Sequence, residues 1–156
     1  MTIFAAKTED DMAHVRELFR EYQVWLDADI CFQGFEEELN ALPGIYAPPL
    51  GRLYLISDNA SGEITGCAAV CPRENGRCEL KRLFVREAWQ GRGLGRELVR
   101  LSLQQAKRAG HSHMCLDTLD KLAPAIALYK SMGFREIDTE NRPVRATVRH
   151  MEITLP

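Results

Sequence analysis

The sequence predicts an α+β protein whose sheet is mixed and mostly antiparallel. Three neighbouring apolar segments of strand length lie in the middle of the chain and are separated by short turn signals, which is typical of an antiparallel meander. Amphipathic runs with the spacing of an α-helix lie on both sides of this meander. A strand, a short helix and two further strands follow the second long run and complete the predicted sheet.

The N-terminal part predicts a short strand, a long helix and an irregular aromatic segment. The strand covers residues 3–5, and apolar residues then recur at helical spacing from Thr8 onward. Thr8 and Asp11, three positions apart, resemble a capping box at the start of this helix. Residues 27–50 are aromatic and turn-rich, with a short helix at 36–42, and we expect them to form a binding loop or lid.

The remaining elements follow from the same signals. The meander consists of strand candidates at residues 52–57, 63–70 and 78–85. Two helices are predicted, one from residue 94 to Gly110 and one over residues 123–132, with Gly133 as its stop. Further strands are predicted at residues 113–118, 134–137 and 147–154. Because no linker or internal repeat interrupts these elements, we expect one domain over residues 1–156.

Composition and charge restrict the classes of function. The 156 residues include 20 Lys and Arg against 22 Asp and Glu, so the formal net charge is -2 and no basic field attracts nucleic acid. No apolar run approaches the roughly 18 residues of a membrane span, and residues 1–6 lack the apolar core of a signal peptide. We therefore expect a cytoplasmic protein that binds neither nucleic acid nor membranes.

The five cysteines predict structural thiols. Cys67 and Cys71 lie four residues apart on a predicted strand and share a face, but no second pair or nearby histidine completes a zinc site. An odd number of cysteines among apolar residues favours reduced, buried thiols. We expect no bound metal.

The stretch AWQGRGLGRELVR, residues 88–100, places three glycines between a predicted strand and a predicted helix. The first N–H groups of that helix and the positive end of its dipole form a site for an anion, which Gly91, Gly93 and Gly95 leave unobstructed. A tight turn between strand and helix is the alternative for such a motif alone. The sequence around the glycines decides between these interpretations.

Two common phosphate loops do not fit this stretch. The nucleotide P-loop requires Lys and then Ser or Thr after its last glycine, whereas Arg96 and Glu97 follow Gly95. In the dinucleotide fingerprint the third glycine stands one position later, and a βαβ unit surrounds the loop instead of a meander. Both nucleotide loops are therefore disfavoured.

The spacing that fits is Q-x-x-G-x-G, formed by Gln90, Gly93 and Gly95. With it, the sequence resembles the GNAT superfamily of acyl-coenzyme A-dependent N-acetyltransferases. CELKRLFVREAWQGRGLG, residues 78–95, is similar to the family's fourth strand and pyrophosphate loop, and AIALYKSMGFREI, residues 125–137, to its late helix and the strand after it. The resemblance implies the GNAT fold, in which helices cover both faces of the sheet and two neighbouring parallel strands splay apart.

The resemblance also implies acetyl-CoA as the cosubstrate, held in two ways. The pantetheine arm would pair, like an added strand, with the backbone of Leu83, Phe84 and Val85. The pyrophosphate would bind the loop and the first turn of the helix, which consist of Gln90, Gly91, Arg92, Gly93, Leu94, Gly95 and Arg96.

Two side chains carry the chemistry that the resemblance implies. Because a lysine-like amine has a pKa near 10.4, a base must remove a proton from it, and Glu79 lies eleven residues before Gln90, where many GNAT enzymes have such a glutamate. Tyr129 occupies the tyrosine of the A-x-x-L-Y pattern and would donate a proton to the leaving thiolate. The alternatives are a solvent-side strand residue for Glu79 and a packing residue for Tyr129.

One position departs from the family pattern. Many relatives have an asparagine that contacts the coenzyme three residues before the alanine of the A-x-x-L-Y pattern, and this chain has Leu122 there. That coenzyme contact is therefore in doubt. The acceptor would lie under residues 27–50, where Phe32, Gln33 and Tyr46 are the predicted substrate contacts.

The predicted function is transfer of an acetyl group from acetyl-CoA to a primary amine of a small molecule or peptide, by direct attack in a ternary complex. A non-catalytic acyl-CoA binding or sensing module is the alternative, and the presence of both Glu79 and Tyr129 favours the enzyme. Homodimers are common in this superfamily, and the sequence leaves the oligomeric state and the acceptor amine open.

Overall fold

The structure is a computed structural model that describes residues 1–27, 34–137 and 147–156. Its helices are α1 (Glu9–Leu26), α2 (Phe35–Ala41), α3 (Leu94–Arg108) and α4 (Ala123–Ser131). Its strands are β1 (Thr2–Ala5), β2 (Arg52–Ser57), β3 (Ile64–Pro72), β4 (Arg77–Val85), β5 (His113–Leu119), β6 (Arg135–Glu136) and β7 (Val148–Thr154).

The strands of these residues form one sheet in the order β1-β2-β3-β4-β5-β7-β6. Strands β2 to β4 form the predicted antiparallel meander, and β1 adds to it antiparallel to β2. Strand β5 is parallel to β4, and β7 lies between β5 and β6, antiparallel to both. The predicted mixed, mostly antiparallel sheet is therefore confirmed.

Each face of the sheet carries its own hydrophobic core. On the face covered by α1 and α2, here called the α1 face, the core includes Phe19, Leu39 and Cys71. On the opposite α3 face, covered by α3 and α4, it includes Leu98 and Met114. Helices on both faces are thus confirmed. In the described ranges, every helix is too short or too polar to cross a membrane.

The start of α1 shows why this helix begins at Glu9. Thr8 has an extended backbone, and its hydroxyl accepts a hydrogen bond of 3.0 Å from the backbone N–H of Asp11. The Asp11 carboxylate in turn accepts a hydrogen bond of 3.0 Å from the Thr8 N–H. This reciprocal pair satisfies two otherwise unpaired donors, and it is the capping box that the sequence predicts.

Strand β4 contains a bulge at Arg82. Along the β3–β4 pair, Ala69 faces Lys81 but Cys67 faces Phe84, and Arg82 has a φ of +59°. The extra residue turns Arg82 toward the α1 face, where its Nε and Nη2 donate to the two carboxylate oxygens of Glu38 on α2, both at 3.1 Å. The side chain of Arg82 is only 3% exposed, so this ion pair fastens α2 to the sheet inside the core.

Replacing Glu38 with glutamine should therefore lower the free energy of unfolding by about 3 kcal/mol, because the buried guanidinium of Arg82 loses its carboxylate partner. Urea denaturation of the two proteins measures the difference. Glu36→Gln is the matched control, since Glu36 lies on the same helix but pairs with Arg20 at the exposed surface, where solvent screens the ion pair, and its loss should change stability far less. Equal effects of the two substitutions would contradict the prediction.

The cysteines in the described ranges are reduced thiols. Cys67, Cys71 and Cys78 are buried, as expected, and Cys115 is partly buried. Burial raises the pKa of Cys71 and of Cys78 to about 12, so both keep their protons at neutral pH. Cys31 lies outside the described residues.

Candidate active site

The parallel strands β4 and β5 separate along their length. They pair only from Arg77 with His113 to Glu79 with Cys115. Beyond this point β4 continues to Val85 and β5 to Leu119 without pairing to each other. The last residues of β4 therefore present backbone donors and acceptors to an open gap in the middle of the sheet.

A cleft of about 600 Å³ lies beside this gap. The end of β4, the glycine loop, the first turn of α3 and one side of α4 form its walls, and Trp25 of α1 reaches it from the other face of the sheet. Its lining includes Leu83, Phe84, Val85, Gln90, Gly91, Gly93, Leu94, Gly95 and Arg96. The structure thus brings all the predicted coenzyme residues except Arg92 to one cleft.

The glycine loop leaves the N-terminus of α3 open. Gly91 and Gly93 have φ values of +78° and +79°, which residues with a Cβ adopt only with strain, and a Cβ added at either would meet no atom within 4 Å. Gly93 is the N-cap of α3, and no side chain of the described residues caps it. The backbone N–H of Glu97 donates the first helical hydrogen bond, to the Gly93 carbonyl. The backbone N–H groups that precede Glu97 in α3 are therefore available to a ligand.

The polar side chains of the loop have distinct roles. The Gln90 amide donates a 2.8 Å hydrogen bond to the Val85 carbonyl and so fixes the loop to the end of β4. Arg96 donates at 2.8 Å to the Ser131 hydroxyl on α4, which places a positive charge at the cleft wall. Arg92 instead donates at 3.2 Å to the Ala88 carbonyl, at the exposed side of the loop. A direct contact of Arg92 with coenzyme stays a prediction.

Glu79 lies on β4 where the pairing with β5 ends, and it shares the α1 face with Cys71 and Cys115 through the strand register. It is only 8% exposed, unlike an ordinary solvent-side strand residue. Arg73 holds its carboxylate at 3.2 Å between Nη1 and Oε1. Arg73 and Cys115 also line a polar cavity of about 650 Å³ at this end of the strands. Glu79 thus lies between the gap and a polar cavity.

Tyr129 lies on α4 with its ring packed edge-on against Phe134, at 5.7 Å between ring centroids. Burial raises the pKa of its hydroxyl, and the neighbouring Tyr22 raises that pKa further. Tyr22 belongs to α1 on the other face of the sheet and stacks on Trp25, which lines the cleft. The two phenols therefore approach each other where the sheet is open, although the Tyr129 ring fills core.

The predicted substrate contacts occupy different places. Tyr46 is 1% exposed, its ring lies edge-on against Phe19 at 6.1 Å, and burial raises the pKa of its hydroxyl. It lies in the core of the α1 face and does not line the cleft, so its contact with a substrate stays a prediction. Phe32 and Gln33 lie outside the described residues.

Several residues that line the cleft were not predicted. Trp25, Trp89, Lys121 and Pro124 belong to it, and Leu122 contributes an apolar surface where the family asparagine would stand. Lys121 donates a hydrogen bond to the Leu26 carbonyl and so ties the end of α1 to the connection between β5 and α4. Because these contacts join segments far apart in the chain, only the aromatic character of Trp25 and Trp89 could have signalled them.

In the described ranges no group of three or more His, Cys, Asp or Glu side chains is arranged to hold a metal ion. The expectation of a reaction without metal stays a prediction.

A sheet opened between two parallel strands, with an uncapped helix N-terminus at the opening, is the architecture of the N-acetyltransferase class. Residues 12–134 match the model of the acetyltransferase (GNAT) family. The chain belongs to this family, as its motifs imply.

Similar proteins agree with this assignment. An uncharacterized N-acetyltransferase of Schizosaccharomyces pombe is 40% identical over 136 residues, which cover 86% of this chain and 83% of the relative. An acetyltransferase of the GNAT family from Staphylococcus aureus has a TM-score of 0.82 at 21% identity, over 99% of both chains. The PaiA N-acetyltransferase of Thermoplasma acidophilum, solved in complex with coenzyme A, has a TM-score of 0.76 at 17% identity, again over 99% of both chains.

Proposed function

We propose that the protein transfers an acetyl group from acetyl-CoA to a primary amine of a small molecule or peptide, by direct attack within a ternary complex. The observation that carries the proposal is the cleft, because it joins an open strand edge to an uncapped helix N-terminus. A coenzyme A molecule needs both features, one for its pantetheine amides and one for its pyrophosphate.

The coenzyme would use the cleft in two parts. Its pyrophosphate would accept hydrogen bonds from the N–H groups at the start of α3, and the helix dipole and Arg96 would offset its charge. Its pantetheine arm would pair with the open edge of β4 at Leu83 to Val85. Leu122 and Leu128 would cover the arm with apolar surface, since both line the cleft.

The acceptor amine would approach from the α1 face. It arrives mostly as an ammonium group, since its pKa near 10.4 lies well above neutral pH. Glu79, held by Arg73 at the end of the β4–β5 pairing, would take a proton from it directly or through water. The free amine then attacks the thioester carbonyl, a C–N bond forms and the C–S bond breaks.

The hydroxyl of Tyr129 would approach the leaving thiolate from the α3 face. The raised pKa of Tyr129 keeps its hydroxyl protonated at neutral pH, so the phenol can donate a hydrogen bond or its proton to sulfur. A backbone N–H of residues 83–85 would stabilise the oxyanion of the tetrahedral intermediate.

Replacing Tyr129 with phenylalanine should lower kcat about tenfold or more and leave the KM for acetyl-CoA within about twofold. The substitution removes the proton donor but keeps the ring against Phe134. Steady-state thiol release at saturating amine gives both constants. Tyr54→Phe is a matched control, because the Tyr54 hydroxyl donates to the Leu101 carbonyl outside the cleft. A Tyr129→Phe protein with the wild-type kcat would assign Tyr129 to packing alone.

An amine panel tests the proposed function. Acetyl-CoA and the purified protein are mixed with alkylamines, polyamines, amino acids and peptides, and free thiol and acetylated product are measured. At least one class of amine should release thiol and acquire the acetyl group in equal amounts. Tight coenzyme binding without amine-dependent thiol release would instead support a binding or sensing module.

A further inference from the structure

His150 and Asp117 form a pair on the α1 face that the reaction described above leaves unused. They face each other in the register of β7 and β5. His150 Nδ1 lies 2.6 Å from Asp117 Oδ1, and the His150 side chain is only 10% exposed. The other ring nitrogen, Nε2, is buried and has no hydrogen-bond partner in the described part of the chain.

The Asp117 carboxylate selects the tautomer of this histidine. An ionised carboxylate can only accept hydrogen bonds, so the proton of a neutral His150 ring must stand on Nδ1. Nε2 then carries a lone pair. A buried polar atom without a partner costs free energy, which a ligand that donates a hydrogen bond to it would recover. A carboxylate behind one ring nitrogen and an unoccupied second nitrogen form the arrangement of a general base.

The strand register places the pair beside the gap. Pairing between β4 and β5 ends at Glu79 and Cys115, and Asp117 lies two residues further along β5, level with the open part of the sheet. Glu79 on β4 and His150 on β7 share the α1 face on the two sides of β5. At about 4.8 Å between strands and 3.3 Å per residue, their Cα atoms are about 12 Å apart. A substrate amine bound over β5 would lie between these two residues.

In the described ranges, charged and titratable groups from five elements share the face of the sheet that carries His150. Packing and register bring to the same face Asp117 and Cys115 of β5, Glu79 of β4, Glu152 of β7, Arg135 of β6 and Tyr22 of α1. Arg77 forms an ion pair with Glu152, and Arg73 forms one with Glu79. Of the neighbouring carboxylates, Asp117 is the one that the structure pairs with the imidazole.

We propose that His150, oriented by Asp117, is a second proton acceptor for the acceptor amine. The proposal rests on the proposed acetyl transfer. An ammonium substrate must lose two protons to become an amide: Glu79 takes the first before attack, and His150 Nε2 takes the second from the nitrogen of the tetrahedral intermediate. The C–S bond then breaks and the thiolate gains one proton from Tyr129, after which the imidazolium loses its proton to solvent and the phenolate regains one from solvent. The net products are amide, thiol and one proton released through Glu79.

A histidine suits the second step at neutral pH. A neutral imidazole can accept a proton at one ring nitrogen while the other ring nitrogen donates a hydrogen bond to a carboxylate. His150 would be a catalytic residue, whereas Asp117 would be a positioning residue that fixes the tautomer.

The test uses His150→Gln and Asp117→Asn with the best amine of the panel. His150→Gln should lower kcat/KM at least tenfold and change the pH profile of kcat/KM. Asp117→Asn should lower kcat/KM several-fold and shift the imidazole from the Nδ1–H tautomer, which long-range ¹H–¹⁵N NMR of the folded protein detects. His14→Gln, at an exposed position of α1, is the matched control and should leave all three measurements unchanged.

The outcomes separate the two proposals. Wild-type acetylation together with an unaltered pH profile in His150→Gln would overturn the role of His150 and leave acetyl transfer intact. An Nε2–H tautomer in the wild type would do the same, because that nitrogen could not accept a proton. A wild-type protein that acetylates no amine of the panel would overturn both.

Discussion

Glu79→Gln is expected to lower kcat/KM for the acceptor amine by about 100-fold or more at neutral pH. Glutamine has almost the same shape but cannot take a proton, so the reaction depends on the small fraction of substrate that is already free amine. That fraction grows as the pH approaches the pKa of the amine. The deficit should therefore be largest in neutral and acidic solution and shrink in alkaline solution.

Thiol release measured between pH 6 and 10 checks this expectation. The KM for acetyl-CoA should change little, since Glu79 lies on the α1 face and does not line the cleft. Glu9→Gln, at an exposed position in the first turn of α1, is a control for the chemical change alone. A deficit of the same size at every pH would remove Glu79 from the role of base and point to its ion pair with Arg73 as a structural contact.

Gly93→Asp is expected to weaken coenzyme A binding by about 100-fold. Three effects act together at this position: strain at a φ of +79°, a side chain in the space in front of the helix, and an anion beside the pyrophosphate. Isothermal titration with coenzyme A measures the dissociation constant directly, without any acceptor amine.

Gly62→Asp provides an unusually close control for this substitution. Gly62 has a φ of +75° and open space around it, but it lies in the turn between β2 and β3, away from the cleft. The two variants should lose similar stability, and only Gly93→Asp should lose coenzyme affinity. Wild-type affinity in a folded Gly93→Asp protein would exclude the N-terminus of α3 as the pyrophosphate site.

Local sequence patterns are sufficient to predict most of the helices, strands and turns of the fold. The capping box at Thr8 and the turn residues of the meander each act within a few residues, so their effect could be predicted without the rest of the chain. The glycine loop is likewise a local feature that could be predicted from its own residues. Its position between β4 and α3, and its uncapped helix N-terminus, follow from residues 85–97 alone.

Features that depend on distant contacts could not be predicted in this way. The placement of β7 between β5 and β6 pairs β5 with a strand that comes after α4 and β6 in the chain, and periodicity does not report strand order. The bulge at Arg82 interrupts the alternation of β4, so Lys81 and Arg82 cannot be assigned to faces by counting. The His150 and Asp117 pair joins residues 33 positions apart on two strands that each contain several polar residues, so the sequence does not single the pair out.

The missing ladder between β4 and β5 has a thermodynamic consequence. A protein whose central sheet is unpaired over several residues gives up backbone hydrogen bonds that a fully closed sheet would form. A pantetheine arm in that gap would restore some of them in the folded state and none in the unfolded state. By mass action, coenzyme at one hundred times its dissociation constant would then add about 2.7 kcal/mol to the free energy of unfolding. The melting temperature of the protein would thus follow the supply of coenzyme A in its surroundings.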